Sequence, residues 1–299
     1  MTGAEQSAGE LLAGWIGDQV AEVARRVDDL RRGEPTGIHQ ARVSSRRLRT
    51  TLTVYRSLLD RPRTDPVGAE LRWFAGTLSP ARDLEVVVPR VLGLLGTAPP
   101  GVVAGPVSER IEAVRRAATD QESVVVAAVL ASERQHALMR ELAGLTTTPA
   151  PGPGAAAPAG EALPPVLRRE WRRLERRVLA AEEAGRTAAD HDLAVHEARK
   201  AAKRMRYALE PVEQLGGTTA TALRERVKEL TAVLGLRQDT VVARDFLARV
   251  AAAAAAAGEP VTTYAWLADA ERAEAARLDD AFAVAWEAAC DPALRGWWG

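Results

Sequence analysis

Residues 37–59 read GIHQARVSSRRLRTTLTVYRSLL and gather His39, Arg42, Arg46, Arg47, Arg49 and Arg56 without one carboxylate. Guanidinium groups fork onto phosphate and carboxylate oxygens, and an imidazole adds a donor whose charge changes near neutral pH. The chemistry this set offers is anion binding. The pattern then returns: IHQARVSSRRLR at 38–49 aligns with VHEARKAAKRMR at 195–206. His39 falls on His196, Arg42 on Arg199, Arg46 on Lys203, Arg47 on Arg204 and Arg49 on Arg206. A shorter match follows at nearly the same offset, LSPARDLEVV at 78–87 against LGLRQDTVVA at 234–243, and sets Asp83 opposite Asp239. The two halves read as copies of one unit.

Two amphipathic helices are needed to position these groups. At roughly 100° per residue, Arg42, Arg46 and Arg49 lie within roughly 80° of His39. Ala41, Leu48, Leu52, Tyr55 and Leu59 cluster on the opposite side, as an apolar stripe should. In the second copy His196, Arg199, Lys203 and Arg206 align, with Lys200, Arg204 and Arg47 flanking the stripes, while Ala198, Met205, Leu209 and Val212 lie opposite. A charge run is ordinarily a solvated face. Here the acidic partners that lace exposed helices are absent from the first copy, and stacked like charges repel. The repeated stripe, led each time by a histidine, therefore reads as a polyanion site.

The remaining sequence sets the frame. The chain has 299 residues, 40 Lys+Arg against 40 Asp+Glu, and 4% aromatics. Net neutrality confines any anion attraction to local charge. Low aromatic content and abundant alanine favour packed helices, and the breaks at 31–37, 98–101, 214–219 and 257–260 punctuate them. The valine-rich runs 86–88 and 124–126 lack partner strands and are read as helical. Residues 146–165, TTTPAPGPGAAAPAGEALPP, read as a linker because their prolines and glycines disfavour regular structure. A single cysteine, Cys290, excludes an internal disulfide framework and a cysteine zinc site. Acidic residues interrupt the opening segment too early for a signal peptide, and no apolar run is long enough to cross a bilayer. The expectation is a soluble intracellular protein.

Other constellations carry less. LRREWRRLERRV at 167–178 reads either as a salt-bridged surface helix or as an extension of the polyanion groove, with Arg172 and Arg176 as its contributors. His136 is read as a surface or satisfied core histidine. His191 and His196 stand five apart and so do not make a metal pair; no metal site is expected. Asp190 and Asp192 read as helix caps. Trp15, Trp73, Trp171, Trp266 and Trp286 read as core, whereas Trp297 and Trp298 fit either a partner contact or a disordered end. HEARKAAK superficially resembles a histidine-kinase phosphoacceptor box, but the Thr-Pro and an ATP lid are missing. No Walker loop occurs, and the stripes hold no pair of groups for general acid–base chemistry. No enzymatic activity and no cofactor are expected.

IHQARVSSRRLRTTL and VHEARKAAKRMRYALE resemble the paired signatures of the CHAD family, the conserved histidine α-helical domain. ARDLEVV and LTAVLGLRQDTVVA resemble the elements that follow each signature, and the likeness spans residues from about 10 to 290. The resemblance implies an all-α fold of two pseudo-twofold-related, four-helix-bundle-like halves forming one domain. The expected bounds are 8–290, with halves 8–145 and 166–290 about the 146–165 segment. It further implies a shared basic groove that binds inorganic polyphosphate, and a place at polyphosphate granules in the cytoplasm. Carried over position by position, the binding residues are His39, Arg42, Arg46, Arg49, Arg82, His196, Arg199, Lys200, Lys203 and Arg206. Asp83 would orient a basic side chain or cap a helix. Departures are Arg237 before Gln238, and Ser44 and Ser45 where small apolar residues are commoner. CHAD modules are often fused to a triphosphate-hydrolysing domain marked by Glu-x-Glu-x-Lys, and this sequence contains no Glu-x-Glu. Divalent counter-ions accompanying the polymer, a nucleic acid in its place, and an acidic protein segment in the groove stay open; a membrane partner is not expected.

Overall fold

The computed structural model describes residues 6–34, 36–78, 82–147, 150–184 and 189–298, apart from the side chains of Arg82 and Asp83. Eleven α-helices run through the described residues: α1 (Ala8–Arg31), α2 (Gly37–Val54), α3 (Arg61–Thr77), α4 (Arg82–Leu95), α5 (Val107–Leu130), α6 (Glu133–Thr147), α7 (Ala159–Ala162), α8 (Pro164–Glu183), α9 (Ala189–Leu209), α10 (Glu213–Ala256) and α11 (Thr262–Ala289). They contain no strand, only isolated bridges between Ser7 and Pro158 and between Leu59 and Pro151. The valine runs at 86–88 and 124–126 lie inside α4 and α5, so the chain is all-α as expected.

Local chemistry sets the helix ends. A capping box starts α1: Ser7 Oγ accepts from Glu10 N at 3.2 Å, and Ser7 N donates to Glu10 Oε2 at 3.1 Å. Leu12, Ile16, Val20, Val23, Val27 and Leu30 follow at helical spacing and are buried. The repeat is visible as element order. α2 passes through a 3-10 turn at Arg56–Leu58 into α3, and α9 passes through one at Glu210–Val212 into α10. Where the first half separates α3 from α4, the second runs on as the single long α10. The break expected at 214–219 is present as a sharp kink that divides α10 into two helical stretches. Gly217, at φ 55° and ψ −137°, turns the chain inside α10, and a Cβ at Gly216 would collide with the Trp297 ring.

Two hydrophobic cores form, and each draws on both halves. The larger joins α1, α2, α3, α6, α8, α9 and the first part of α10, with Leu48, Phe74, Leu142, Leu174, Met205 and Leu230 fully enclosed. The smaller closes Val87, Val88 and Val91 of α4 and Ile111 of α5 on Phe246 and Leu247 of α10 and Leu267 of α11. Enclosing such side chains contributes about 1.5–3 kcal/mol each, so the two repeats are mutually dependent for stability.

The proline- and glycine-rich segment is tied to the first half. Gly152 N donates to Leu58 O at 2.9 Å, Asp60 N to Ala150 O at 3.0 Å, Gly9 N to Ala155 O at 2.8 Å and Ala8 N to Ala157 O at 2.9 Å. Within it, α7 forms and α8 begins at Pro164, a residue suited to a first helical position. Thr148 and Pro149 lie outside the described residues. Of the tryptophans read as core, Trp171 is buried and Trp15, Trp73, Trp266 and Trp286 are half-buried. The terminal pair is docked within the chain. Trp298 is 6% exposed, with its ring centroid 6.3 Å from Trp171. His136 sits on the surface, 3.9 Å from Glu133. Among the described residues no helix is long and apolar enough to cross a membrane, and no cluster of His, Cys, Asp and Glu suits a metal ion.

Candidate anion-binding cleft

α2 and α9 turn their apolar faces inward: Ala41, Leu48, Leu52 and Tyr55 on one, Ala198, Met205 and Leu209 on the other, all buried. Tyr55 Oη donates to Ala208 O at 2.5 Å and ties the two helices at their far ends. Ser44 and Ser45 are buried, and Ser44 Oγ donates to Ala41 O at 3.1 Å, so they fill a helix contact rather than face a ligand.

The polar faces meet in an open cleft of two lobes, of 1080 Å³ and 1170 Å³ including open solvent. Arg46, His196, Arg199, Lys203 and Tyr207 line both lobes and make them one continuous surface. The first lobe adds His39, Arg42 and Val43 from α2, Val86 and Val87 from α4, and Gln238, Asp239 and Val242 from α10. The second adds Arg49, Thr50, Thr53, Glu197, Lys200 and Arg204, with Arg173 and Arg177 from α8. Against this array of cations the described lining residues include two carboxylates, Asp239 and Glu197, and Glu197 accepts from Lys200 Nζ at 2.7 Å.

Most sequence-assigned residues therefore converge, and some do not. Arg206 and Arg47 leave the lining. The Arg206 guanidinium stacks 4.8 Å from the Tyr207 ring centroid, and Arg47 lies 5.8 Å from the same ring with its Nε 2.8 Å from Glu210. Arg172 and Arg176 are exposed and outside the lining, whereas Arg173 and Arg177 line it. The cause is a buried ion pair. Arg204 Nε and Nη2 donate to Glu170 at 2.5 Å and 2.8 Å, and this fixes which side of α8 faces α9. The Arg82 side chain lies outside the described residues. The phase of α8 was readable from Trp171, Leu174 and Val178, but its neighbour was not.

Electrostatics within the cleft are strained in one direction. Burial and then the charges of Arg199, Arg46 and Arg206 push the Lys203 ammonium down to about 7, and Asp239 only partly offsets them. Arg49 is lowered by burial and by Arg46, Arg72 and Arg204, which brings Arg72 of α3 into the same field. Burial raises the Glu210 carboxyl against the pull of Arg47, Arg206 and Arg224. His196 Nδ1 lies 2.7 Å from Gln238 Oε1, an acceptor, so in this contact Nδ1 carries the hydrogen and donates it.

Behind the cleft, a buried network of charges holds the base of α9. Arg237, 2% exposed, donates from Nε to Asp279 at 2.9 Å and from Nη2 to Asp192 at 2.8 Å. Arg244 Nη2 reaches the other Asp192 oxygen at 2.7 Å. His191 Nε2 stands 3.3 Å from Asp279, and its Nδ1 lies 3.1 Å from Ala181 O. Asp192, expected as a cap, thus bridges two arginines of α10, and the unusual Arg237 is the centre of a buried network.

The CHAD domain model matches residues 15–248, and the chain belongs to that family. Two proteins of Mycobacterium tuberculosis, from strains CDC 1551 and ATCC 25618 and both described as uncharacterized, are 35% identical over 235 residues. That alignment covers 77% of this chain and 43% of each relative, so the chain spans less than half the length of those proteins. Among solved structures, PptA from Streptomyces chartreusis superposes with a TM-score of 0.77 at 23% identity, covering 94% of this chain and 100% of that one. The CHAD domain from the plant Ricinus communis superposes at 0.71 and 22% identity, covering 95% and 93%. At these identities the likeness is one of fold.

Proposed function

We propose that this chain is a binding protein for inorganic polyphosphate, and that the α2/α9 cleft, within a single unit of residues 8–290, is where it binds. One observation carries the reading. Burial of the half-buried Lys203, and then the charges of Arg199, Arg46 and Arg206, bring its ammonium to about 7 with Asp239 only a partial offset. Such a cluster is costly in the empty protein and is relieved by a multivalent anion. A linear phosphate polymer offers closely spaced oxyanions for guanidinium forks and needs no base-reading groups.

The reading is one of binding, not catalysis, with CHAD-family membership as its family-level support. Residence at polyphosphate granules in the cytoplasm follows from the proposed ligand and belongs to the same proposal. Nucleic acid is the rival polyanion. Among the described residues the cleft lining holds no exposed Phe, Tyr or Trp: Tyr207 is 4% exposed and covered by Arg206, and the other rings are the half-buried imidazoles of His39 and His196.

The test is a titration of polyphosphate against wild type and Arg46→Ala/Arg199→Ala over a range of salt. Binding that weakens steeply with salt and is lost in the double variant is expected. Unchanged binding by the double variant would remove the cleft from consideration.

A further inference from the structure

α8 presents five exposed arginines, Arg169, Arg172, Arg173, Arg176 and Arg177. At 100° per residue they span roughly 140° of the helix surface, opposite Leu167, Trp171, Leu174 and Val178. Among the described residues none of the five has a carboxylate within ion-pair distance. Other exposed helices here are laced in the ordinary way: Arg31 with Asp28, Arg115 with Glu112, Arg226 with Glu229 and Arg277 with Glu274. The two acids of α8 that stand among these arginines are drawn away. Glu170 turns inward to Arg204, while Glu175 accepts from Trp171 Nε1 at 2.5 Å and lies 3.7 Å from Arg295. Among the described residues the arginine face is left without a direct ion pair, with Glu197 acting on Arg177 only at longer range.

This face is continuous with the cleft. Arg173 and Arg177 line the second lobe, and Arg169 Nη2 lies 3.5 Å from Val54 O, next to the lobe residue Thr53. Arg172 and Arg176 carry the same charge onward around the outside of α8. We infer that the outer face of α8 is a second segment of the anion-binding surface, holding the part of a linear phosphate polymer that overhangs the cleft. The inference rests on the polyphosphate reading of the cleft. It assigns Arg172 and Arg176 a role outside the cleft rather than within it. No aromatic side chain lies among the five arginines to stack a base, and continuity with the cleft favours one polymer crossing both surfaces.

The experiment compares tripolyphosphate and long-chain polyphosphate on full-length wild type, Arg172→Ala/Arg176→Ala and the cleft variant Arg46→Ala/Arg199→Ala, with anionic phospholipid vesicles as a third probe. The α8 variant should lose about tenfold in polymer affinity, with a salt slope shallower by about 2, and should keep wild-type tripolyphosphate binding. Thermal melts of both variants check that they fold. Wild-type polymer affinity and salt slope in the α8 variant would overturn the second segment and leave the cleft reading intact. So would an equal loss for both phosphates, or a loss confined to vesicles. Failure of wild type to bind either phosphate would instead end the cleft reading itself.

Discussion

The Glu170 carboxylate, 4% exposed, receives both Nε and Nη2 of Arg204, and this pair joins α8 to α9 directly beside the cleft. It satisfies one cation of the repeat so that the others can point outward, and it sets the rotation of α8 that admits Arg173 and Arg177 while excluding Arg172 and Arg176. Glu170→Ala leaves a largely buried guanidinium without its partner. A loss of about 3 kcal/mol in unfolding free energy is expected, at the lower end for breaking such a pair because Arg204 keeps some solvent contact. Chemical denaturation measures it, and added polyphosphate should recover part of the loss by binding the native state.

Lys203 gives the cleft a pH dependence of definite sign. Its folded value, about 7, lies below the 10.5 of the free side chain, so between these values the unfolded chain binds more protons. This group therefore makes the empty protein more stable as pH rises from about 7 towards 10.5. Binding runs the other way. A polyanion over Lys203 draws a proton back onto it, so affinity falls as pH rises above about 7. Calorimetric titration in two buffers of different ionisation enthalpy should show net proton uptake near pH 8. Lys203→Arg should bind with little uptake from this position, and equal uptake in that variant would exclude Lys203 as its source.

The stripes on α2 and α9 were legible because a 3.6-residue period fixes which side chains share a face, and Ala41, Leu48, Ala198 and Met205 are buried as that period requires. The same arithmetic placed Arg206 in the site, yet stacking on Tyr207 holds it aside. Choosing between Arg172/Arg176 and Arg173/Arg177 needed knowledge of which helix lies beside α8, a tertiary fact carried by Glu170 and Arg204. Arg237 stood out only as a departure from the family pattern. Its partners, Asp192 and Asp279, are separated from it by tens of residues and follow no local rule.

Selectivity against nucleic acid follows from the lining. Stacking of a base on an aromatic side chain contributes about 1–3 kcal/mol per base in single-strand binders, and among the described residues the cleft has the covered Tyr207 and the half-buried imidazoles of His39 and His196, with no exposed Phe, Tyr or Trp. At equal salt, polyphosphate should therefore displace single-stranded DNA of matched charge. Competition followed by fluorescence anisotropy of a labelled oligonucleotide measures this. Equal displacement by both polymers would mean that the cleft responds to charge alone.

The buried network around Arg237 predicts that stability and binding can be separated. Asp279 is 6% exposed and faces both Arg237 Nε and His191 Nε2. Asp279→Ala removes the carboxylate and leaves Arg237, 2% exposed, with Asp192 alone. A buried charge left with no partner costs about 3–5 kcal/mol; Asp192 still pairs Arg237, so the loss should be smaller than that and read as a lowered denaturation midpoint. None of Asp279, Arg237 and His191 lines the cleft. The folded fraction of Asp279→Ala should thus bind polyphosphate with near wild-type affinity and an unchanged salt slope, since every phosphate-facing cation remains. A parallel loss of affinity at temperatures where the variant is fully folded would show instead that the network transmits strain along α9 to His196 and Arg199, and would make the base of that helix part of the binding machinery.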